Sequence, residues 1–152
     1  MATQDCALCL DPAALAEAPP RERVHVTDNW RVVAHRSGLP GWLLVVPRRH
    51  IETLSEFSDA EAAELGPILR AATRTLQTVV GAEKTYALMF AEGTRHVHFS
   101  VPPRMPDHPK DRRGAGVMAY NRDDEPIDDA RRDELAHQLI AAWSATGRGP
   151  DK

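Results

Sequence analysis

Ser58 followed three residues later by Glu61 is a capping-box pattern, and behind it Ala62, Leu65, Leu69, Ala72, Leu76 and Val79 recur at helical spacing until Gly81. This predicts one long helix with an apolar stripe, and a stripe of that length has to be buried against a broad partner. Gly66-Pro67 falls near its first turns, where a local kink is expected. The runs on either side are short and β-like. Val24, Val26, Trp30, Val32 and Ala34 alternate around Asp28-Asn29 as a hairpin does. Trp42 to Val46, preceded by the turn Gly38 to Gly41 and closed by Pro47, reads as a central strand buried on both faces. Thr85 to Phe90 and Val97 to Val101 add two more strands, joined by the polar loop Ala91 to Arg95. The expected class is therefore α+β: an antiparallel sheet of about five strands packed on the long helix.

The rest of the chain is assigned around that unit. Pro12 to Glu17 suits a short helix that must stop before Pro19-Pro20. Pro102 to Glu125 is rich in Pro, Asp, Arg and Gly and has no sustained periodicity, so a mobile flap is expected there. Asp128 or Asp129 caps a final helix with Leu135, Leu139, Ile140 and Trp143 on one side, ending at Gly147. A single domain over residues 1–147 and a disordered tail over 148–152 complete the layout.

Composition narrows the function classes. With 42% apolar and 27% charged residues the balance is that of a soluble globular domain. No apolar run approaches the roughly 18 residues of a membrane span, and Met1 to Leu10 lacks the basic head and apolar stretch of a secretory signal, so a cytoplasmic location away from membranes is expected. A formal net charge of -3 argues against general nucleic-acid binding while leaving free nucleotides open. Cys6 and Cys9 are too close in sequence for a stabilising loop disulfide, which points to a metal or redox role.

The chemistry concentrates in Arg95-His96-Val97-His98-Phe99-Ser100-Val101-Pro102-Pro103-Arg104. On a strand, His96, His98 and Ser100 share one side and Val97, Phe99 and Val101 the other. Taken alone, such a pattern also suits a solvated strand. This decapeptide resembles the signature of the histidine triad superfamily, with His96 and His98 in the first two histidine places and Ser100 in the third. Other segments agree with the resemblance: Cys6-Ala-Leu-Cys9, then Pro40-Gly41-Trp42-Leu43 through Val46-Pro47-Arg48-Arg49-His50, then the capped helix.

The resemblance implies a HIT-like fold, a homodimer in the family's manner, and a nucleotide or nucleotide conjugate as ligand. It implies hydrolysis or nucleotidyl transfer at the α-phosphate of a purine nucleotide conjugate, with His98 as nucleophile and its second ring nitrogen bonded to the carbonyl of His96. A neutral imidazole suits that task, because the bonded nitrogen fixes the attacking tautomer. Ser100 departs from the pattern: a hydroxyl can hydrogen-bond a phosphate but cannot protonate a leaving group at neutral pH. Trp42 departs too, standing where many members carry a supporting histidine. The alternative is accordingly a zinc-stabilised nucleotide-binding protein with weak or no turnover. By resemblance again, Cys6, Cys9, His50 and His96 form a closed structural zinc set, no catalytic metal is required, and Glu92 and Thr94 contact phosphate. Arg104, Lys110, Arg112 and Arg113 suit substrate binding as a polyphosphate clamp, and with Asp107 and Asp111 interleaved they suit a solvated loop as well.

Overall fold

The computed structural model describes residues 5–146. The helix end expected at Gly147 and the tail at 148–152 lie outside the described residues. A short helix α1 (Pro12–Glu17) is capped by Asp11 and followed by β1 (His25–Val26), β2 (Trp30–Ala34) and β3 (Leu43–Pro47). The long helix α2 (Asp59–Val80) comes next, then β4 (Lys84–Thr85), β5 (Phe99–Val101), β6 (Pro103–Arg104), a short helix α3 (Ala119–Arg122) and α4 (Asp129–Thr146).

The strands β1, β2, β3 and β5 form one antiparallel sheet in that spatial order. Residues 99–104 are paired on both edges. Ser100 stands opposite Leu44 of β3 on one side, while Leu88 and Ser100 exchange backbone hydrogen bonds of 2.8 and 2.9 Å on the other. The small β4–β6 ladder therefore extends the sheet past β5, giving the expected five-stranded α+β arrangement.

Local chemistry explains the elements. Ser58 Oγ accepts from Glu61 N and the Glu61 carboxylate accepts from Ser58 N, so both orphan donors at the start of α2 are satisfied. Gly81 ends the helix at φ 72°, a left-handed conformation that suits a residue without Cβ. Pro67 lies inside α2 without ending it. Thr27 Oγ1 accepts from Asn29 N and Trp30 N and closes the β1–β2 turn. Every residue of β2 and β3 is buried. One face packs Trp30, Val32, Leu43, Val45 and Val101 against α2 and α4. The other carries Val33, Trp42, Leu44 and Val46.

Three expectations are corrected. The strand expected over Val97 to Val101 starts at Phe99, so His98 precedes the strand instead of standing on it. Its neighbours are drawn elsewhere: Val97 N donates to Ile51 O and His96 Nε2 bonds Pro47 O, which takes this stretch out of the ladder. The strand expected over Thr85 to Phe90 is reduced to Lys84–Thr85 and one bridge at Leu88. Third, the stretch expected to be an unstructured flap holds β6, two short 3-10 segments and α3, and lies on the second face of the sheet, where Val117 is fully buried. Its order comes from contacts without periodicity. Arg112 donates twice to Asp124 and lies 4.4 Å from the Tyr120 ring, Tyr120 packs on His108, and Gly114 N donates to Tyr86 Oη. Gly38 fits beneath it because a Cβ there would stand 2.5 Å from that of Asp124.

Candidate active site and metal cluster

Two functional groups of side chains meet at the end of β3. The N-terminal turn, closed by Cys9 N donating to Cys6 O, presents both thiols to His50, just past β3, and to His96, just before β5. The ligand atoms of Cys6, Cys9, His50 and His96 all lie within 4.8 Å of one another. Individual sulfur-to-Nδ1 separations are 3.3 Å for Cys9–His50, 3.4 Å for Cys9–His96 and 3.5 Å for Cys6–His96. A tetrahedral ion with metal–sulfur bonds of about 2.3 Å and metal–nitrogen bonds of about 2.0 Å would span such pairs at about 3.5 Å, so the donor set fits zinc.

The surroundings favour the ligating forms. His96 is fully buried, its Nε2–H donates to Pro47 O at 2.8 Å, and Nδ1 is left with its lone pair facing the thiols. Burial also pushes the His96 pKa down, toward the neutral ring that ligates. Burial and the adjacent Cys6 push the Cys9 thiol up to about 11, and a cation is what reverses this and leaves a thiolate. Beyond the ligands, Glu52 lies 3.8 Å from His50 Nε2 and pairs with Arg95 at 3.1 Å. A cleft of about 310 Å³ lined by Asp5, Cys6, His50, Glu52, Thr94, Arg95 and His96 opens onto the cluster.

His98 stands beside this cluster in a different condition. It is half-buried, and its Nδ1–H donates to His96 O at 2.8 Å. That bond fixes the tautomer in which Nε2 carries the lone pair, the state a nucleophilic imidazole needs. One residue thus serves both groups: the side chain of His96 closes the metal set and its carbonyl holds the ring of His98.

Register places the rest. Directly opposed residues of an antiparallel pair share a face, so Val33, Leu44 and Ser100 form one row across the sheet. The next row holds His35 and Trp42, joined by His35 N donating to Trp42 O at 2.8 Å. Ser100 is half-buried on this face, which is the one the 105–125 segment packs against. Of the residues expected at phosphate, Thr94 lies in the cleft beside the metal cluster, Glu92 is exposed, and Arg104, on β6, pairs with Glu83 at 3.0 Å. Arg112 and Arg113 are engaged within their own segment, by Asp124 and by the carbonyls of His108 and Pro106.

His35, which has no partner spacing in the sequence, also stands on this face. Its Nε2–H donates to Asn121 Oδ1 at 2.9 Å, its ring stands 5.5 Å from that of Trp42, and burial lowers its pKa, with the charges of Arg132 and His98 adding to the effect. Nothing in the spacing marks this residue, because its neighbours come from an adjacent strand and from a segment more than eighty residues away.

No family model matches the chain and no curated protein matches it, whereas solved structures do. A zinc-bound histidine triad family protein from Mycobacterium smegmatis superposes with a TM-score of 0.66 at 19% identity, over 95% of this chain and 97% of that one. A histidine triad protein from Sinorhizobium meliloti gives 0.68 at 20% identity, over 90% and 97%. A hypothetical histidine triad nucleotide-binding protein from Sulfolobus tokodaii gives 0.66 at 16%, over 84% and 86%. These likenesses agree with the sheet and the long helix found above, and the chain therefore has the histidine triad fold.

Proposed function

We propose that this protein binds a nucleotide or nucleotide conjugate on the second face of the sheet and acts at its α-phosphate, as a hydrolase or nucleotidyltransferase, through a nucleotidyl intermediate on His98. The observation that carries this is the 2.8 Å hydrogen bond from His98 Nδ1 to His96 O, which leaves Nε2 available on a half-buried ring. In the attack His98 Nε2 forms a bond to phosphorus as the leaving group departs, and water or another acceptor then breaks that bond. Ser100 donates a hydrogen bond to a phosphate oxygen, and Glu92, Thr94 and Arg104 are assigned to substrate contact. Cys6, Cys9, His50 and His96 hold a structural zinc ion, which pins the N-terminal turn against the sheet and leaves His96 O where His98 needs it. No catalytic metal enters this scheme, and the working unit is a homodimer.

A specific observation favours a second assignment, that of a nucleotide-binding protein without turnover: Ser100 replaces a proton carrier, and the 105–125 segment packs on the same face. Intact-mass measurement decides between the two. After incubation with adenosine phosphoramidate, a dinucleoside polyphosphate or ADP-glucose, the protein is expected to carry a nucleotidyl adduct that His98→Ala lacks. Tight nucleotide binding with no adduct and no turnover would leave only the binding role. Elemental analysis is expected to return one zinc per chain, and none in a Cys6→Ser, Cys9→Ser double variant.

A further inference from the structure

Taking a guanidinium out of water costs free energy, and its planar fork is suited to holding two pieces of chain in one fixed relation. Arg31 of β2 is 3% exposed. It stands opposite Val46 of β3, so it shares the second face of the sheet. Its donors go to two segments that precede β2 in the chain. Nη2 donates to Leu8 O at 2.7 Å, and Nη1 donates to Glu22 O and to the Glu22 carboxylate, both at 3.0 Å. Leu8 lies between Cys6 and Cys9 and is fixed twice: its carbonyl by Arg31, its side chain by packing on the cluster of Val33, Trp42, Leu44 and Val46. The turn itself is closed by Cys9 N donating to Cys6 O at 3.1 Å. None of these three contacts uses a ligand atom of the metal set. Together they fix where both sulfurs stand relative to His50 and His96.

We propose that Arg31 is a positioning residue of the metal site: it holds Leu8, and with it the Cys6 and Cys9 thiols, in the ligating arrangement before an ion arrives. The site is then preorganised and not made by the ion. This rests on the assignment of Cys6, Cys9, His50 and His96 as a zinc set, and adds to it the residue that supports the thiols from behind. Part of the affinity for zinc follows from that support, because the entropy of ordering the turn is lost when the chain folds and not when the ion binds. A lysine at 31 would keep the charge but not the fork, and could not hold Leu8 O and Glu22 O in the same fixed geometry.

Two measurements on the full chain test this. In the first, zinc affinity is read by competition with a chromogenic chelator, and thermal melting shows that each variant is folded. Arg31→Met is expected to weaken zinc binding about 10- to 100-fold, the range seen when metal ligands lose their support, and Arg31→Lys by an amount at the low end of that range. Leu8→Ala, which removes the other anchor and leaves the buried cation in place, is expected to shift affinity in the same direction. Leu139→Ala, in the helix-side core, should lower the melting temperature without changing zinc affinity. In the second, amide hydrogen exchange is followed in the metal-free protein: the Cys9 N–H is expected to be protected in wild type and to exchange as an open amide in Arg31→Lys and Arg31→Met. Wild-type affinity in a folded Arg31 variant, or an equal loss in Leu139→Ala at the same loss of stability, overturns the role of Arg31 while the metal set stands. An unprotected Cys9 N–H in metal-free wild type overturns the preorganisation and needs no variant to show it. If the wild-type protein binds no zinc, the metal set falls and the positioning role falls with it.

Discussion

The two faces of the sheet are built to different rules. On the helix side, Trp30, Val32, Leu43, Val45 and Val101 meet Ile68, Ala72 and Leu76 of α2 and Leu135, Ala136 and Leu139 of α4, all buried, and the indole N–H of Trp30 finds Glu61 O at 3.0 Å. The other side keeps Val33, Trp42, Leu44 and Val46 under Val117, yet it also holds Ser100, His35 and an indole N–H with no partner among the described residues. The first face is filled by apolar side chains, although Thr75 Oγ1 of α2 is buried without a hydrogen-bond partner among the described residues. The second carries half-buried polar side chains, Ser100 and His35, beside the unpartnered Trp42 indole. The difference is one of composition: an all-apolar packing on one side, and polar and titratable side chains among apolar ones on the other.

Substitutions can break or sharpen that contrast. The largest effect is expected on the helix side: Trp30→Ala removes a fully buried ring in contact with Phe57 and Phe99 and should cost about 3–5 kcal/mol in urea unfolding. It should leave the zinc content of the folded fraction intact. Next comes metal removal. With free zinc a hundredfold above its Kd, chelation should lower stability by about 3 kcal/mol, an effect that vanishes in the Cys6→Ser, Cys9→Ser double variant.

Glu61→Gln follows, at about 1–2 kcal/mol from the weakened capping box and the bidentate pair with Arg49. Arg49 beside it holds the Glu61 carboxyl below the usual carboxylate range. A depressed folded-state value means its contribution is complete above the ordinary glutamate pKa of about 4.3 and is lost as pH falls through the lower folded value. The gap between wild type and Glu61→Gln should therefore be full at neutral pH and close only in acid. The smallest stability effect is expected on the open face: Val117→Ala should cost about 1 kcal/mol while changing nucleotide affinity in isothermal titration. If Val117→Ala proved as damaging as Trp30→Ala, the division between the faces would not hold.

Much of this organisation could be read from the chain alone. Ser58, Glu61 and Gly81 delimit α2 because their capping chemistry is local, and β2 and β3 announce themselves by β-branched residues between turn signals. The metal set and the His96–His98 pair followed from a resemblance in motif order, and the structure brings those residues together. What escaped depended on contacts distant in sequence. Residues 105–125 hold their shape through Arg112–Asp124, His108–Tyr120 and the seat at Gly38, none of which produces a period. The late start of β5 reflects His96 being claimed by Pro47 O and the thiols. His35 is an ordinary histidine in the sequence, and its contacts with Trp42 and Asn121 exist only in the fold.

The shared position of His96 also sets an order of assembly. Cys6 and Cys9 are synthesised well before their last partner, which follows 90 and 87 positions later. The turn at the amino terminus must therefore wait, its thiols open to solvent, until hairpin, central strand and long helix have been made. Docking of that turn brings the thiols to the His96 ring, whose carbonyl accepts the hydrogen bond from His98. A newly synthesised chain would thus reach a nearly finished architecture before its four candidate ligands could meet.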